Sequence, residues 1–434
     1  CRAVGGGNSA HRTRRRQAAP LHSREEKEMI SVEEALERIL SEIHPLPTTQ
    51  VPLAESLGLV LAADVIAQED MPPFANSAMD GFALRSQDSQ PHAGQPPRLR
   101  VTGGVAAGYV ADHAVQEGTA MRITTGAPVP PGADAVIQIE LTQYNGPQST
   151  WVEVLQPVTP GNNVRPAGED MRRGQTVLRQ GTEIGPWEIG VLATLGLAMV
   201  PVTRQPQVAI LGTGDEVIEV DQPLAPGKIR NSNSYLLEAA VRRAGAQAVR
   251  LGVARDTVES LREKFSQAIG SDLIITSGGV SVGDFDLVKN IMAEQGEINF
   301  WRINMRPGKP VAFGHIGQTP LLGLPGNPVS TAVTFELFGR PVLRKLLGHT
   351  RLLRPQIAVS VEDGISERTT RRHYVRAHVT WRDGRFVART TGNQGSNIMT
   401  SLVDANALLI VPEDGAEIKA GETAQALMLD WPEI

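Results

Sequence analysis

The chain has 434 residues, enough for about two to four domains, and its 41% hydrophobic and 21% charged residues are typical of a globular protein. A net charge of −5 and an aromatic content of 4% argue against a nucleic-acid partner. The one cysteine, Cys1, excludes a disulfide scaffold, a zinc ribbon, an iron–sulfur cluster and an internal cysteine nucleophile. The sequence contains no apolar run of about eighteen residues, so we predict no membrane span.

The first 28 residues differ from the rest in composition. Residues 1–23 contain five arginines and no acidic residue, which superficially resembles an organellar transit peptide. A helix start follows at Ser31-Val32-Glu33-Glu34, which has the spacing of a capping box. We therefore expect residues 1–28 to be a disordered leader or a cloning remnant.

The next part of the chain predicts an interrupted domain. Apolar residues at helical spacing mark residues 29–70, in SVEEALERILSEI and LAESLGLVLA, and return within 166–204. Between them, residues 71–165 carry short β-like runs separated by glycine and proline. We expect one discontinuous helical linker domain that is interrupted by a small β insertion.

The second half of the chain predicts two further domains. In residues 205–350, strand patterns such as QVAILG and DLIITS alternate with helix patterns such as SYLLEAAVRRAG, FDLVKNIMAEQ and VSTAVTFELFGRPVLRKLL. This alternation predicts a doubly wound, mostly parallel α/β sheet. Five short strand patterns in residues 351–434 predict a small barrel or sandwich.

Ligands of open α/β sheets bind beyond the carboxyl ends of the strands, where two loops of this chain are unusual. Gly212-Thr213-Gly214-Asp215-Glu216 carries two acids, suited either to a helix cap or to a hydrated cation. Val217 stands where a dinucleotide-binding motif requires glycine, which disfavours that ligand. The glycine-rich run from Ser277 to Asp286 precedes a predicted helix, where backbone N–H groups bind anions.

Two more loops complete this edge of the sheet. Met305-Arg306-Pro307-Gly308-Lys309-Pro310 places two cations around a rigid turn, which suits either an oxyanion or a solvated surface turn. Leu324-Pro325-Gly326-Asn327-Pro328 leads into a helix with proline at its first position. Together the four loops predict a site for a phosphate-bearing, Mg²⁺-dependent ligand.

The loops SGGVSVGD, RPGKP and LPGNPVS, in this order, resemble those of the molybdopterin molybdenumtransferase family, which includes bacterial MoeA and the C-terminal domain of gephyrin. The resemblance extends to Asn76-Ser77-Ala78-Met79-Asp80-Gly81-Phe82-Ala83, to Thr124–Pro130 and to Gly168-Glu169-Asp170, and covers about residues 30–430. It implies a discontinuous linker domain, a β insertion, a molybdopterin-binding α/β domain and a C-terminal β-barrel.

The resemblance also implies an activity. Members of the family insert molybdate into adenylylated molybdopterin with Mg²⁺, releasing AMP and molybdenum cofactor. The dithiolene of that substrate supplies sulfur ligands for molybdenum, which agrees with the lack of internal cysteines. The implied protein is a cytoplasmic homodimer in which the α/β domain of one subunit and the insertion of the other share a cleft. Its implied partners are a molybdopterin adenylyltransferase and acceptor molybdoenzymes.

The resemblance assigns roles to individual residues. The implied catalytic residues are Asp80, Thr125, Asp170, Glu216, Asp256 and Asp286, of which Glu216, Asp256 and Asp286 would hold Mg²⁺. The implied substrate-binding residues are Ser277, Gly278, Gly279 and Ser281 in the phosphate loop, Pro325, Gly326, Asn327 and Pro328 in the cleft wall, and Arg306, Lys309, Arg376 and Ser396 for molybdate.

Three residues depart from the family pattern. Arg306 stands where lysine is common, Asn231 where aspartate is frequent, and Phe82 where tyrosine is common. None of these removes an expected catalytic carboxylate, so we predict an active enzyme. One alternative is a molybdopterin adenylyltransferase, which needs neither the insertion nor the C-terminal β domain. The other is a receptor-binding scaffold that keeps the fold, as in gephyrin.

Overall fold

The computed structural model describes residues 29–279, 298–366, 369–414 and 417–432. The chain divides into two compact units, Cys1–Thr49 with Thr203–Ile434, and Gln50–Val202. The expected leader 1–28 and the predicted helix FDLVKNIMAEQ lie outside the described residues. Among the residues that are described, no helix combines the length and the apolar character needed to span a membrane.

The helices of the described chain are short and are spread along the sequence. In chain order they are α1 (Val32–Ser41), α2 (Pro186–Thr194), α3 (Ser232–Arg243), α4 (Val258–Ala268), α5 (Pro328–Thr334), a π-helical segment (Phe335–Gly339), α6 (Arg340–Leu346) and α7 (Thr400–Val403). Short 3₁₀ turns lie at Leu53–Glu55, Ser86–Ser89 and Ile139–Leu141.

The strands of the described chain are, in chain order, β1 (Thr48–Pro52), β2 (Val65–Ile66), β3 (Asn76–Ser77), β4 (Gly81–Leu84), β5 (Arg98–Val105), β6 (Thr119–Ile123), β7 (Ala135–Gln138), β8 (Thr142–Gln143), β9 (Trp151–Val154), β10 (Val164–Arg165), β11 (Thr176–Leu178), β12 (Met199–Thr203), β13 (Gln207–Thr213), β14 (Val217–Ile218), β15 (Ile229–Arg230), β16 (Gln247–Ala254), β17 (Leu273–Ser277), β18 (Ile298–Arg302), β19 (Met305–Arg306), β20 (Pro310–Ile316), β21 (Thr319–Leu324), β22 (Gln356–Val361), β23 (Arg372–Arg382), β24 (Arg385–Thr390), β25 (Ala407–Val411) and β26 (Thr423–Met428).

Helix α1 begins where the sequence predicts. The side chain of Ser31 caps it by accepting a hydrogen bond from the backbone N–H of Glu34 at 3.0 Å. Its buried face includes Ala35 and Ile39, which belong to the same apolar core as the α/β sheet. We predicted this helix as part of the linker domain at residues 29–70. Its apolar face packs in the compact unit that contains the α/β sheet.

The unit Gln50–Val202 contains a six-stranded sheet with the strand order β7-β4-β6-β5-β9-β8. The β character that we predicted for this part of the chain is therefore present. Strand β4 begins inside the Asn76–Ala83 motif at Gly81, which permits a close approach between strands. A Cβ atom at Gly81 would lie 1.9 Å from the carbonyl oxygen of Ile137, so no larger residue fits there.

The rest of this unit is less helical than the sequence predicts. Helix α2 forms within the segment predicted to be helical, but the helix predicted in LAESLGLVLA is wrong. That segment forms the 3₁₀ turn Leu53–Glu55, after which Gly58 adopts a φ of 76° and Leu61 forms a β-bridge with Val202. Partners distant in sequence here override the local helical spacing.

The α/β sheet has the strand order β16-β13-β17-β21-β20-β18. The first four strands are parallel, and β20 and β18 add an antiparallel edge. Helix α3 and the α5–α6 segment pack with one face of the sheet, and α4 packs with the other. The predicted doubly wound, mostly parallel sheet is confirmed, and the ends of β13, β17 and β21 place the loops of the site on one edge.

The helix predicted after β21 is interrupted by a π-helical segment. Helix α5 begins at Pro328, as predicted, and passes through the π-helical segment into α6. Pro341, in the first turn of α6, has no N–H to donate to the preceding turn, so it cannot continue the regular α-helical bonding. This explains a π-helical segment at this position.

The C-terminal strands close into a barrel. The sheet order is β19-β23-β24-β22-β26-β25, and an additional pairing joins β23 to β25. Strands β23, β24, β22, β26 and β25 thus form a ring, which decides between the predicted barrel and sandwich. Strand β19, which carries Arg306, pairs in parallel with β23 and so attaches the cationic turn to the barrel.

Candidate active site

A cleft of about 710 Å³ lies at the carboxyl edge of the α/β sheet, inside the unit that also contains the barrel. Residues of all four predicted loops line it. The predicted site residues in its lining are Glu216, Asp256, Ser277, Gly278, Gly279, Arg306, Lys309, Pro325, Gly326, Asn327, Pro328 and Ser396. Two further predicted residues, Ser281 and Asp286, lie outside the described residues.

The acidic end of the cleft is built from two loops that bind each other. The carboxylate of Asp256 accepts the backbone N–H of Asp215, and the carboxylate of Asp215 accepts that of Asp256, both at 3.3 Å. Gly214 has a φ of 129°, and a Cβ there would lie 2.6 Å from a carboxylate oxygen of Glu216. Glycine at this turn therefore lets the Glu216 carboxylate lie against the backbone.

This end of the cleft provides oxygen ligands for a hard cation. The residues that the structure describes contain no group of three or more His, Cys, Asp and Glu side chains placed to hold a metal ion. Mg²⁺ commonly binds through one or two carboxylates together with substrate phosphates. The carboxylates of Glu216 and Asp256, both in the cleft lining, fit that mode of binding.

The glycine-rich loop follows β17. Gly278 has a φ of 96°, and a Cβ there would lie 2.7 Å from Oγ1 of Thr213, so the position requires glycine. The backbone N–H of Gly278 donates to Leu324 O at 3.0 Å, which joins this loop to the end of β21. Ser277 is buried, and its hydroxyl oxygen accepts a hydrogen bond from a side chain of helix α3.

Sequence reasoning missed Asn233, the residue that engages Ser277. Its Nδ2 donates to Ser277 Oγ at 2.8 Å and to Gly326 O at 2.7 Å. The run RNSN contains Asn233, but the comparison with the family pattern singled out only Asn231 in that run. Asn231 is the N-cap of α3 and accepts from the N–H of Ser234 at 3.2 Å. Asparagine and aspartate are equally good caps, so this departure from the family pattern preserves the local structure.

The cationic turn places Arg306 and Lys309 on the cleft lining. Gly308, between them, has a φ of 103°, and a Cβ there would lie 2.4 Å from Cγ2 of Thr334. The turn is therefore pressed against the α5 helix and requires glycine at this position. The carbonyl of Lys309 accepts the N–H of Ile303 at 2.8 Å, which fixes the far side of the turn.

Arg376, which the family resemblance assigns to molybdate, is a buried residue of the barrel. It is fully buried and is not among the residues that line the cleft. Its Nε donates to Ser401 Oγ at 3.1 Å, and its Nη2 donates to Gly395 O at 3.1 Å. Arg376 therefore holds the barrel loop that presents Gln394 and Ser396 to the cleft.

The predicted residues Asp80 and Thr125 meet in the unit Gln50–Val202. Oδ1 of Asp80 accepts the backbone N–H of Thr125 at 2.7 Å and its hydroxyl at 3.0 Å. These two hydrogen bonds, assisted by the charge of Arg122, lower the pKa of the Asp80 carboxyl. Asp170 is not part of this pair; it is exposed, and its N–H donates to Met71 O at 3.0 Å.

Three family models match successive parts of the chain. Residues 30–196 match the MoeA N-terminal region (domain I and II), residues 209–345 a probable molybdopterin binding domain, and residues 359–429 the MoeA C-terminal region (domain IV). Molybdopterin molybdenumtransferase 2 of Mycobacterium tuberculosis is 39% identical over 383 residues, which are 86% of this chain and 93% of that protein. The chain belongs to the molybdopterin molybdenumtransferase family.

Other members of the molybdopterin molybdenumtransferase family extend the comparison. The molybdopterin molybdenumtransferase of Bacillus subtilis is 36% identical over 419 residues, covering 94% of this chain and 97% of that protein. The molybdopterin biosynthesis MoeA protein of Pyrococcus horikoshii has a solved structure that is 30% identical and superposes with a TM-score of 0.81, covering 93% of this chain and 100% of that one. The predicted multidomain α/β fold is thus confirmed.

Proposed function

We propose that this chain inserts molybdate into adenylylated molybdopterin in a Mg²⁺-dependent reaction that releases AMP and molybdenum cofactor. The observation that carries the proposal is the gathering of an acidic turn, a glycine-rich loop and a cationic turn in one cleft. The names of the relatives support it, because they describe molybdenumtransferases acting on molybdopterin. The presence of the insertion and of the barrel favours this activity over that of an adenylyltransferase.

The cationic turn and the barrel loop supply the groups suited to molybdate. Arg306 offers a planar set of N–H donors, and Lys309 offers a compact positive charge. Ser396, on the barrel loop, adds a hydroxyl at the same cleft. A tetrahedral dianion bound here would receive charge-assisted hydrogen bonds, which are stronger than those between neutral groups.

The acidic end of the cleft is suited to Mg²⁺ and to the phosphates of the substrate. Glu216 and Asp256 would hold the ion, together with Asp286 as the family resemblance implies. When bound, Mg²⁺ would supply positive charge to the phosphates of the substrate. The glycine-rich loop at Gly278 and Gly279 has positive φ angles, which turn the backbone sharply beside the cleft.

The proposed reaction balances without a reductant. The anhydride bond between the two phosphates of the substrate breaks, and AMP leaves with one of them. The two dithiolene sulfurs replace oxygen ligands of molybdate. One oxygen of molybdate ends on a phosphate product, and a second leaves as water with the protons of the two thiols, so molybdenum keeps its oxidation state.

We also propose a homodimer in which two subunits share each cleft. Helix α2 supports an assembly, because it is largely apolar and yet only Leu192 of it is fully buried. Trp187, in the first turn of that helix, is 83% exposed. Exposed apolar surface of this kind is typical of an interface. A cytoplasmic location, a molybdopterin adenylyltransferase partner and acceptor molybdoenzymes stay predictions.

A direct assay tests the proposed activity. The full chain is incubated with adenylylated molybdopterin, Mg²⁺ and molybdate, and AMP is measured over time. We expect AMP release that depends on molybdate and that falls in Arg306→Ala and Glu216→Ala. Arg382→Ala, at an exposed position of the barrel, is the matched control. ATP consumption with free molybdopterin, in place of AMP release, would establish the adenylyltransferase alternative.

A further inference from the structure

Asn233 joins two loops that approach the same cleft from different strands. Its Nδ2 donates to Ser277 Oγ, at the end of β17, and to Gly326 O, after β21. The two loops are also in direct contact, because a Cβ at Gly326 would lie 3.6 Å from the Cα of Gly278. One side chain of helix α3 therefore holds both loops at a fixed separation.

The orientation of this amide is set by its partners. The Gly326 carbonyl can only accept, so the nitrogen of the amide must face it at 2.7 Å. Oδ1 of Asn233 is then left buried with no hydrogen-bond partner among the described residues. A buried acceptor without a partner lowers the stability of the folded state, so the bridge is maintained against a local penalty.

The bridge continues beyond Gly326 to the barrel loop. Thr331 Oγ1 donates to Pro325 O at 2.6 Å, which braces the same loop from helix α5. Nδ2 of Asn327 then donates to Ser396 Oγ at 3.2 Å, and the N–H of Val329 donates to Ser396 O at 3.1 Å. A hydrogen-bonded frame thus runs from the glycine-rich loop to the loop held by Arg376.

We propose that Asn233 is a positioning residue, which sets the distance between the phosphate-binding side and the molybdate-binding side of the cleft. The inference rests on the proposed function and deepens it. Small displacements of groups that must meet a reacting centre cost large factors in rate. Asn233 lines the cleft, but its Nδ2 is bonded to the loops at Ser277 and Gly326 and its Oδ1 is buried, so it acts through those loops.

Two variants separate the hydrogen bonds from the volume of the side chain. Asn233→Asp keeps the size but has no N–H to donate, so it places an acceptor against the Gly326 carbonyl and can only accept a hydrogen bond from the Ser277 hydroxyl. Asn233→Ala removes both bonds. The control is Arg243→Ala on the same helix, whose exposed side chain pairs with Asp430 at the surface.

The kinetic test compares the effect of each variant on kcat with its effect on the binding of the separate ligands. In both Asn233 variants we expect kcat for AMP release to fall by about tenfold to a hundredfold. The molybdate KM and the Kd of AMP alone should each change by less than about threefold, because each small ligand needs one side of the cleft. A merely structural role would lower kcat only in proportion to the folded fraction, and such a result would overturn the proposal.

Amide hydrogen exchange gives a readout that does not need activity. The N–H groups of Gly278 and Thr331 are bonded to Leu324 O and Asn327 O in the bridged loops. Both should exchange faster in the two Asn233 variants than in wild type and the control. Unchanged exchange together with unchanged kcat would overturn the positioning role. Wild-type protein that releases no AMP would overturn the proposed function instead, and the exchange result would still decide the role of Asn233.

Discussion

Arg306 on the cleft lies close enough to Arg376 in the barrel for its charge to act on a guanidinium that is fully buried. Burial first and the charge of Arg306 second lower the pKa of Arg376 to about 10. With a pKa of about 10, Arg376 is still charged at neutral pH, so the folded protein holds this buried charge near the cationic side chain of Arg306. A bound dianion would offset that repulsion, and the arrangement therefore favours an anionic ligand over a neutral one.

Replacing Arg376 with lysine should damage both stability and oxyanion binding. Lysine keeps the charge but cannot reach Ser401 and the carbonyl of Gly395 together as the guanidinium does. We expect the free energy of unfolding to fall by about 1–3 kcal/mol and the molybdate KM to rise. Denaturant unfolding and steady-state kinetics measure the two effects. Arg382→Lys, exposed on the same strand, should change neither; an unchanged molybdate KM in Arg376→Lys would remove this residue from the support of the site.

Replacing Lys309 with alanine should affect molybdate more than the nucleotide. The change removes one positive charge from the cationic turn and leaves the glycine-rich loop as it is. We expect the molybdate KM to rise by about tenfold or more, because a charge-assisted hydrogen bond is lost, while the Kd of AMP changes little. Lys419→Ala, at an exposed position of the barrel domain, is the control. Equal losses for both ligands would contradict a role for Lys309 in binding molybdate.

Much of the fold follows from patterns that are local in the sequence. Helices α1 and α3 form where apolar spacing predicts them, because their stabilising groups lie within a few residues of each other. The loops of the cleft could also be predicted from the sequence, because parallel strands end on the same edge of a sheet and so bring the loops that follow them together.

The features that the sequence did not reveal depend on distant partners. Nothing local distinguishes Arg376 from the other arginines of the barrel, since its burial depends on Ser401 and on the loop at Gly395. Asn233 lies two positions after Asn231, the N-cap of α3. Its hydrogen-bond partners are 44 and 93 residues away in the sequence. The helix expected in LAESLGLVLA failed because Leu61 bridges to Val202, a contact that local spacing cannot encode.

The buried His349 should make stability depend on pH. It accepts a hydrogen bond from Nη2 of Arg344 at 3.0 Å, and burial with the charges of Arg344 and Arg340 lowers its pKa to about 4. The unfolded chain takes up a proton below pH 6.5 while the folded chain does not, so stability is complete above that pH and falls toward pH 4. Denaturant unfolding at several pH values should show a shallower decline in His349→Gln than in wild type. Exposed His44→Gln serves as the control, and equal slopes would disprove the assignment.

A mixing experiment tests the shared clefts of the proposed homodimer. Asp80 lies in the unit Gln50–Val202, whereas Glu216 lies in the other compact unit. Both side chains are exposed, so Asp80→Ala and Glu216→Ala should fold normally and each be nearly inactive.

If the two residues serve one cleft from different subunits, a mixed dimer has one cleft with both residues intact. Random exchange at equal amounts makes half of the dimers mixed, which restores about a quarter of wild-type activity. Mass spectrometry of differently labelled subunits establishes exchange, and the same mixture without exchange is the control. No recovery after exchange would show that Asp80 and Glu216 serve the cleft from one subunit, or that Asp80 serves no cleft.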